Sequence, residues 1–230
     1  MTLKPRFVYT EADMGSWKNV LAFVAALFLL AAAFRYGMRA VSDNAKRNAP
    51  PPEPAEWASW KEERFDDLGF SLRHPADSPV IAGADPAHPV PSMLVGGAVT
   101  RFTVKVPKTR YAGTKFVDAF VSVAAGDVTA GSEQDRQALC FLLAPEGSGT
   151  RPLAGRDEVR GTTFGTGGVS NAVGGLRAES VVRHAWFKGH CIEVTENLFS
   201  LIGGRVKDFD RVDAWKQMDD VTRTFRPLAP

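Results

Sequence analysis

The residues with most chemistry in this 230-residue chain are two cysteines, four histidines and a few carboxylates set among apolar runs. Cys140 and Cys191 are its whole thiol complement. Two distant cysteines without a CxxC spacing read as one structural disulfide in an oxidising compartment, with two reduced core thiols as the alternative. His184 and Glu193 flank Lys188-Gly189 within ESVVRHAWFKGHCIEVTENL, where two β-prone runs can close a two-residue hairpin. That turn sets Phe187 opposite His190, Trp186 opposite Cys191, Ala185 opposite Ile192 and His184 opposite Glu193. Lys-Gly is a weaker turn than Asn-Gly, so a one-residue slip stays open. In this register His184 and Glu193 make a charge-assisted pair responsive to pH or, with a third ligand, part of a metal site. The ordinary cross-strand pair is the simpler reading. His74 and His88 each precede a proline and read as loop or strand-end residues. Glu193 and Asp118 are the carboxylates to inspect for a site built from distant residues, with solvated strand faces as the simpler account.

Local catalytic motifs are missing. A phosphate loop needs glycines followed by Lys-Ser/Thr, and a dinucleotide turn needs GxGxxG, but Gly165 and Gly167 are followed at the critical position by Ser170. Gly147-Ser148-Gly149 lacks the spacing of a nucleophile elbow. There is no HExxH or CxxC, so neither a cofactor nor a locally assembled metal site is expected. A formal charge of +2 gives no electrostatic case for nucleic acid.

The elements that would carry these residues are mostly strands. Phe70 and Leu72 alternate with Ser71 and Arg73; Phe102, Val104 and Val106 alternate with Arg101, Thr103 and Lys105. Val117, Ala119, Val121 and Val123 share one face of a further strand, with Asp118 and Ser122 opposite. The run ALCFLL around Cys140 is too apolar to show a face and is expected as a buried strand. Nine glycines fall in the 33 residues from Ala144 to Leu176, which predicts a mobile loop or a long hairpin tip there. The period then changes: Phe209, Val212, Trp215, Met218, Val221 and Phe225 recur every three or four residues, between an acidic start at Asp208 and Asp210 and a stop at Arg226-Pro227. This is an amphipathic helix capped by a carboxylate, its apolar stripe covering one face of the sheet.

Ahead of that domain, Asn19 to Phe34 (NVLAFVAALFLLAAAF) holds one polar residue, Asn19. As a helix these residues extend about 24 Å, short of a ~30 Å hydrocarbon slab. Lys18 and Arg35 can snorkel, while Trp17 and Tyr36 suit the headgroup level. The reading is a cytoplasmic leader (1–18), a transmembrane helix (19–36), a Pro-rich linker (37–56) and one domain (57–226) before a short tail (227–230). A cleaved signal peptide ending near Ala31-Ala32-Ala33 and a buried core helix are the alternatives. A lipoprotein is excluded, since neither cysteine lies nearby. Lys4, Arg6 and Lys18 face Arg35, Arg39, Lys46 and Arg47, a count that slightly favours the opposite orientation, so the cysteines decide, with the domain outside the cytoplasm.

Three stretches resemble one family. GFSLRHP (Gly69 to Pro75), preceded by Trp60 and Phe65, is similar to the entry motif of PsbP-like domains, the photosystem II extrinsic proteins and their bacterial relatives. DDVTRTFRP (Asp219 to Pro227) resembles the close of their last helix, and AWFKGHCIEVTENL resembles the hairpin of bacterial secreted and anchored members, where an upstream cysteine partner is usual. His74 stands where the family prefers Tyr. The resemblance implies an α+β fold: an antiparallel β-sheet sandwich flanked by helices and ending in an amphipathic helix. It implies assembly, stabilising or binding modules, with no metal-binding residue carried over.

The expected protein is a non-enzymatic module held in the bacterial inner membrane through residues 19–36, its domain in the periplasm and its partner another envelope protein or complex. The alternative is a small-ligand-binding domain or a hydrolase with a dispersed site. A deep pocket with convergent polar groups would favour the second, and a shallow apolar patch the first.

Overall fold

The structure, a computed structural model, describes residues 53–129, 131–144 and 149–228. The chain divides into two units, Met1–Pro52 and Glu53–Pro230, and the description concerns the second. The expected membrane span lies outside the described residues. Among those described, no helix is long and apolar enough to cross a membrane.

In chain order the strands are β1 (Lys61–Phe65), β2 (Phe70–His74), β3 (Val80–Ala82), β4 (Val99–Lys105), β5 (Phe116–Gly126), β6 (Leu142–Leu143), β7 (Arg151–Pro152), β8 (Gly155–Val159), β9 (Thr162–Val173), β10 (Leu176–Phe187), β11 (His190–Leu201) and β12 (Arg226–Pro227). Two α-helices join them, α1 (Glu133–Cys140) and α2 (Arg211–Arg223). A seven-stranded sheet runs β3-β4-β5-β11-β10-β9-β8, and a three-stranded sheet runs β1-β2-β12. Every strand pair is antiparallel, giving an α+β fold with a sandwich-like arrangement.

One face of the large sheet is apolar. Phe102, Val104, Val121, Val123, Ala185, Ile192, Val194 and Leu198 pack with Ala214, Met218 and Val221 of α2 and with Phe70, Leu72 and Phe225. Phe70 stacks between Phe65 and Phe225, at ring separations of 4.8 and 4.7 Å. Asp210 caps α2 by accepting the Asp213 N–H at 2.9 Å, as the acidic start predicts. Val212 does not belong to the buried stripe: it is 79% exposed, because the helix turns that position away from the sheet. A polar staple fastens α2 instead, with Arg183 of β10 paired to buried Glu196 of β11 and to Asp219 of the helix at 2.9 Å.

One expectation is corrected and another narrowed. The ALCFLL run is a strand only at its last two residues, Leu142 and Leu143, and helical up to Cys140. Ser132 and Asp135 form a reciprocal capping box that starts α1, which carries the chain to Cys140 before a turn at Phe141 leads into β6. Of the two readings of the glycine-rich tract, the long hairpin holds and the mobile loop does not: most of its described residues form β8 and β9, with Gly174-Gly175 at the tip of the β9–β10 hairpin. Two of its glycines make room for packing. A Cβ on Gly165 would meet Phe141 Cδ1 at 2.7 Å, and one on Gly167 would meet Leu143 Cδ1 at 2.7 Å. The segment around β6 and β7 therefore lies directly on the backbone of β9.

Candidate functional site

The second face of the large sheet carries the chemistry. Strand alternation places Asp118, Phe120 and Ser122 of β5, Cys191, Glu193 and Thr195 of β11, and Val182, His184 and Trp186 of β10 on this side. The β3–β4 loop, α1 and the β6–β7 segment cover it, so its polar groups are enclosed. The account of Asp118 and Glu193 as solvated strand-face residues is overturned: they are 0% and 3% exposed. The two do alternate onto one side of the sheet, but the covering layer comes from chain remote in sequence.

The hairpin has the register expected from its turn, with Phe187 opposite His190, Trp186 opposite Cys191, Ala185 opposite Ile192 and His184 opposite Glu193. Lys188 (φ 47°) and Gly189 (φ 86°) make the turn with two left-handed residues, the arrangement that matches strand twist. Cys140, the last residue of α1, is joined to Cys191 with Cα atoms 5.5 Å apart. Leu94, Val128 and the partly buried Trp186 pack around the bond.

His184 and Glu193 meet beside this disulfide. His184 Nε2 lies 3.0 Å from Glu193 Oε2, and its Nδ1 lies 2.8 Å from the Cys140 carbonyl oxygen. A carbonyl oxygen only accepts, so Nδ1 is the donor to Cys140, and Nε2 is the nitrogen that faces the carboxylate. Glu193 Oε2 also accepts the Met93 N–H at 2.8 Å. These bonds tie α1, the β3–β4 loop and the hairpin together, leaving no ring nitrogen free for a substrate or metal.

A second buried cluster went unseen in the sequence. Lys105 Nζ lies 2.7 Å from Asp85 Oδ2 and 2.6 Å from Asp118 Oδ2, while His88 Nδ1 is 2.9 Å from Asp118 Oδ2. Asp85, His88 and Asp118 have the spacing of metal ligands. The Lys105 ammonium nevertheless stands between the two carboxylates, with Lys108 3.5 Å from Asp118, so protein cations already balance the charge. Burial alone would raise the Asp85 pKa, but hydrogen bonds from Lys105 and the Ala87 N–H, with the charges of Lys105 and His88, hold it below its ordinary 3.8. Burial would lower Lys105, yet Asp118 and Asp85 raise it above 10.5. The only hints in sequence were a charged residue on each of two strands and the turn-rich DPAHP; neither points to the other.

His74 ends β2, buried, with Nδ1 2.8 Å from the Pro75 carbonyl oxygen. His190 is near the surface, 3.0 Å from exposed Asp127.

Open features lie elsewhere. At the distal end of the long strands a cleft of about 240 Å³ is lined by Lys115, Arg177, Ser200, Leu201 and Arg211 among others. Val173, Leu201, Ile202 and Val206 stand exposed at this same end, at 42–70% of their free surface.

No family model and no curated protein matches this chain. Among solved structures, a protein from Bacteroides thetaiotaomicron aligns at 13% identity with a TM-score of 0.41, covering 74% of this chain and 49% of its own. This chain thus spans about half the length of that neighbour.

Proposed function

We propose that this chain is a membrane-tethered, non-enzymatic binding or assembly module of PsbP-like type, held in the bacterial inner membrane by residues 19–36 with its folded domain in the periplasm. One observation carries the reading: most of the groups able to do chemistry are tied to one another inside the scaffold, although His88 Nδ1 and Asp118 Oδ2 accept or donate no well-formed hydrogen bond among the described residues. His184 and Glu193 bond to each other and to backbone, Asp85 and Asp118 share Lys105, and the thiols are joined. The surface offers an apolar, basic-edged end instead, suited to contact with another protein. A tether keeps such contacts at high effective concentration even when each is weak. Crosslinking in native membranes with mass spectrometry is the test. Reproducible recovery of an envelope protein bound to the 53–228 region supports the proposal, and repeated recovery of nothing rejects it.

The small-ligand alternative has one observation in its favour: Lys115, Arg177 and Arg211 line the distal cleft, Lys115 paired there with Asp208 at 2.8 Å and Arg211 with Glu179. Inorganic phosphate that raised the melting temperature of the parent, but not of an Arg177→Ala variant, would favour it.

A further inference from the structure

β9 is longer than its outer neighbour. β8 pairs with it from Val159↔Thr162 to Gly155↔Thr166 and stops, whereas β10 follows it to Val173. Among the described residues, the strand from Gly167 to Val173 therefore has a partner on one side only. The outer edge there reads GGVSNAV, with no charged residue and no proline. Other sheet edges differ: β8 carries Arg156, Asp157 and Glu158, β1 carries Lys61, Glu62, Glu63 and Arg64, and β3 is only three residues long. Charge and brevity are how edge strands avoid pairing, and this stretch of β9 has neither.

Its free backbone groups can be located. The Gly168 carbonyl accepts from Arg151 Nη2 at 3.2 Å, and the Ala172 N–H donates to its neighbour Asn171 Oδ1 at 2.7 Å. Both groups point away from β10, so alternation turns Gly168, Ser170 and Ala172 to the outer edge, with no backbone partner for Ser170 on that side among the described residues. Both end contacts are exposed and made by side chains, so a strand ladder can replace them.

We propose that this edge pairs with the same edge of a second copy of the chain, antiparallel about a twofold axis at Ser170. The twofold sets Ser170 against Ser170, Gly168 against Ala172 and Val169 against Asn171, so no charge meets a like charge. It also sets Val173, 70% exposed, against Gly167 of the second copy, where Leu143 and Leu153 lie over the glycine. An exposed valine is thereby matched to a position with no side chain and an apolar surround. The two large sheets become continuous. This inference goes beyond the proposed function and stands whether or not a foreign envelope partner exists.

The test uses the full chain in detergent and in native membranes. Because Cys140 and Cys191 are joined, a Ser170→Cys variant adds the one reactive thiol. In a hydrogen-bonded antiparallel pair its Cα would lie about 5.5 Å from its twin, inside the usual disulfide range. Mild oxidation should give a covalent dimer from Ser170→Cys and none from a Val212→Cys control. Light scattering should show the parent as a dimer and Ser170→Lys as dissociating on the order of tenfold more readily, because the two ammonium groups face each other. Near-ultraviolet circular dichroism matching the parent confirms that the variant is folded. A monomeric parent, a dimer indifferent to Ser170→Lys, or crosslinking of Ser170→Cys to a different protein would overturn the proposal.

Discussion

At the scale of single residues, burial decides what each polar group does. Removing the Cys140–Cys191 bond frees a loop of 51 residues in the unfolded chain, for which chain entropy sets an upper figure of about 4 kcal/mol. The double Cys→Ala variant should lose about 2–4 kcal/mol in urea titration, and the unreduced parent should show no alkylatable thiol by intact mass. His184→Ala would strand the Cys140 carbonyl and half of the Glu193 partners, costing about 1–3 kcal/mol. A double-mutant cycle with Glu193→Gln should show coupling; additive losses would mean the two side chains do not act on each other. Asp85 gives a pH signature. Its folded pKa lies below 3.8, so its contribution is complete above that value and is lost as pH falls through the folded pKa. Lys105, raised above 10.5, contributes below that value and loses its contribution as pH rises through the folded pKa. Asp85→Asn should therefore flatten the acid limb of stability against pH.

At the scale of elements, close approach and paired charge hold the layers together. Gly165→Ala and Gly167→Ala push a methyl into Phe141 and Leu143, and overpacking of that kind costs about 1–3 kcal/mol. Gly168→Ala should be nearly neutral, since its Cβ would meet only the Ser180 carbonyl oxygen at 3.8 Å; thermal melts of the three variants give the comparison. Under α2, burial pushes the Glu196 pKa up, while Arg183 and a hydrogen bond from Thr222 pull it back. Glu196 therefore takes up its proton before the unfolded chain does, and acid favours the fold through this group, opposite to Asp85. Arg183→Ala leaves Glu196 buried without its counter-charge, a loss of about 3–5 kcal/mol in guanidinium titration. A simultaneous Glu196→Gln change should recover part of it.

At the scale of the whole molecule, the domain has one strongly apolar layer under α2 and one polar layer under loops, the second crossed by the Cys140–Cys191 disulfide. The proposed location has a direct test. With the outer membrane permeabilised and the inner membrane intact, added protease should cut within residues 53–228. Protection until the inner membrane is lysed would place the domain in the cytoplasm and sink the proposed location.

The hairpin around Lys188-Gly189 and the helix after Asp210 were legible because their signals are local. A two-residue turn sets the register of the strands it joins, and a period of 3.6 with an acidic cap needs no information from elsewhere. The same hairpin register sets His184 opposite Glu193 from local signals alone. Helix α1 was legible in principle from Ser132 and Asp135, but the apolar run after them masked it. What covers the polar face was not legible: alternation says that Asp118 and Glu193 share a side of the sheet, and is silent on whether water or chain lies above. Only tertiary structure lays the β3–β4 loop there, joins Lys105 to Asp85 and Asp118, and uses the bare backbone at Gly165 and Gly167 as a seat for Phe141 and Leu143. Those contacts depend on the path of chain between distant segments, and a sequence pattern carries no term for that path.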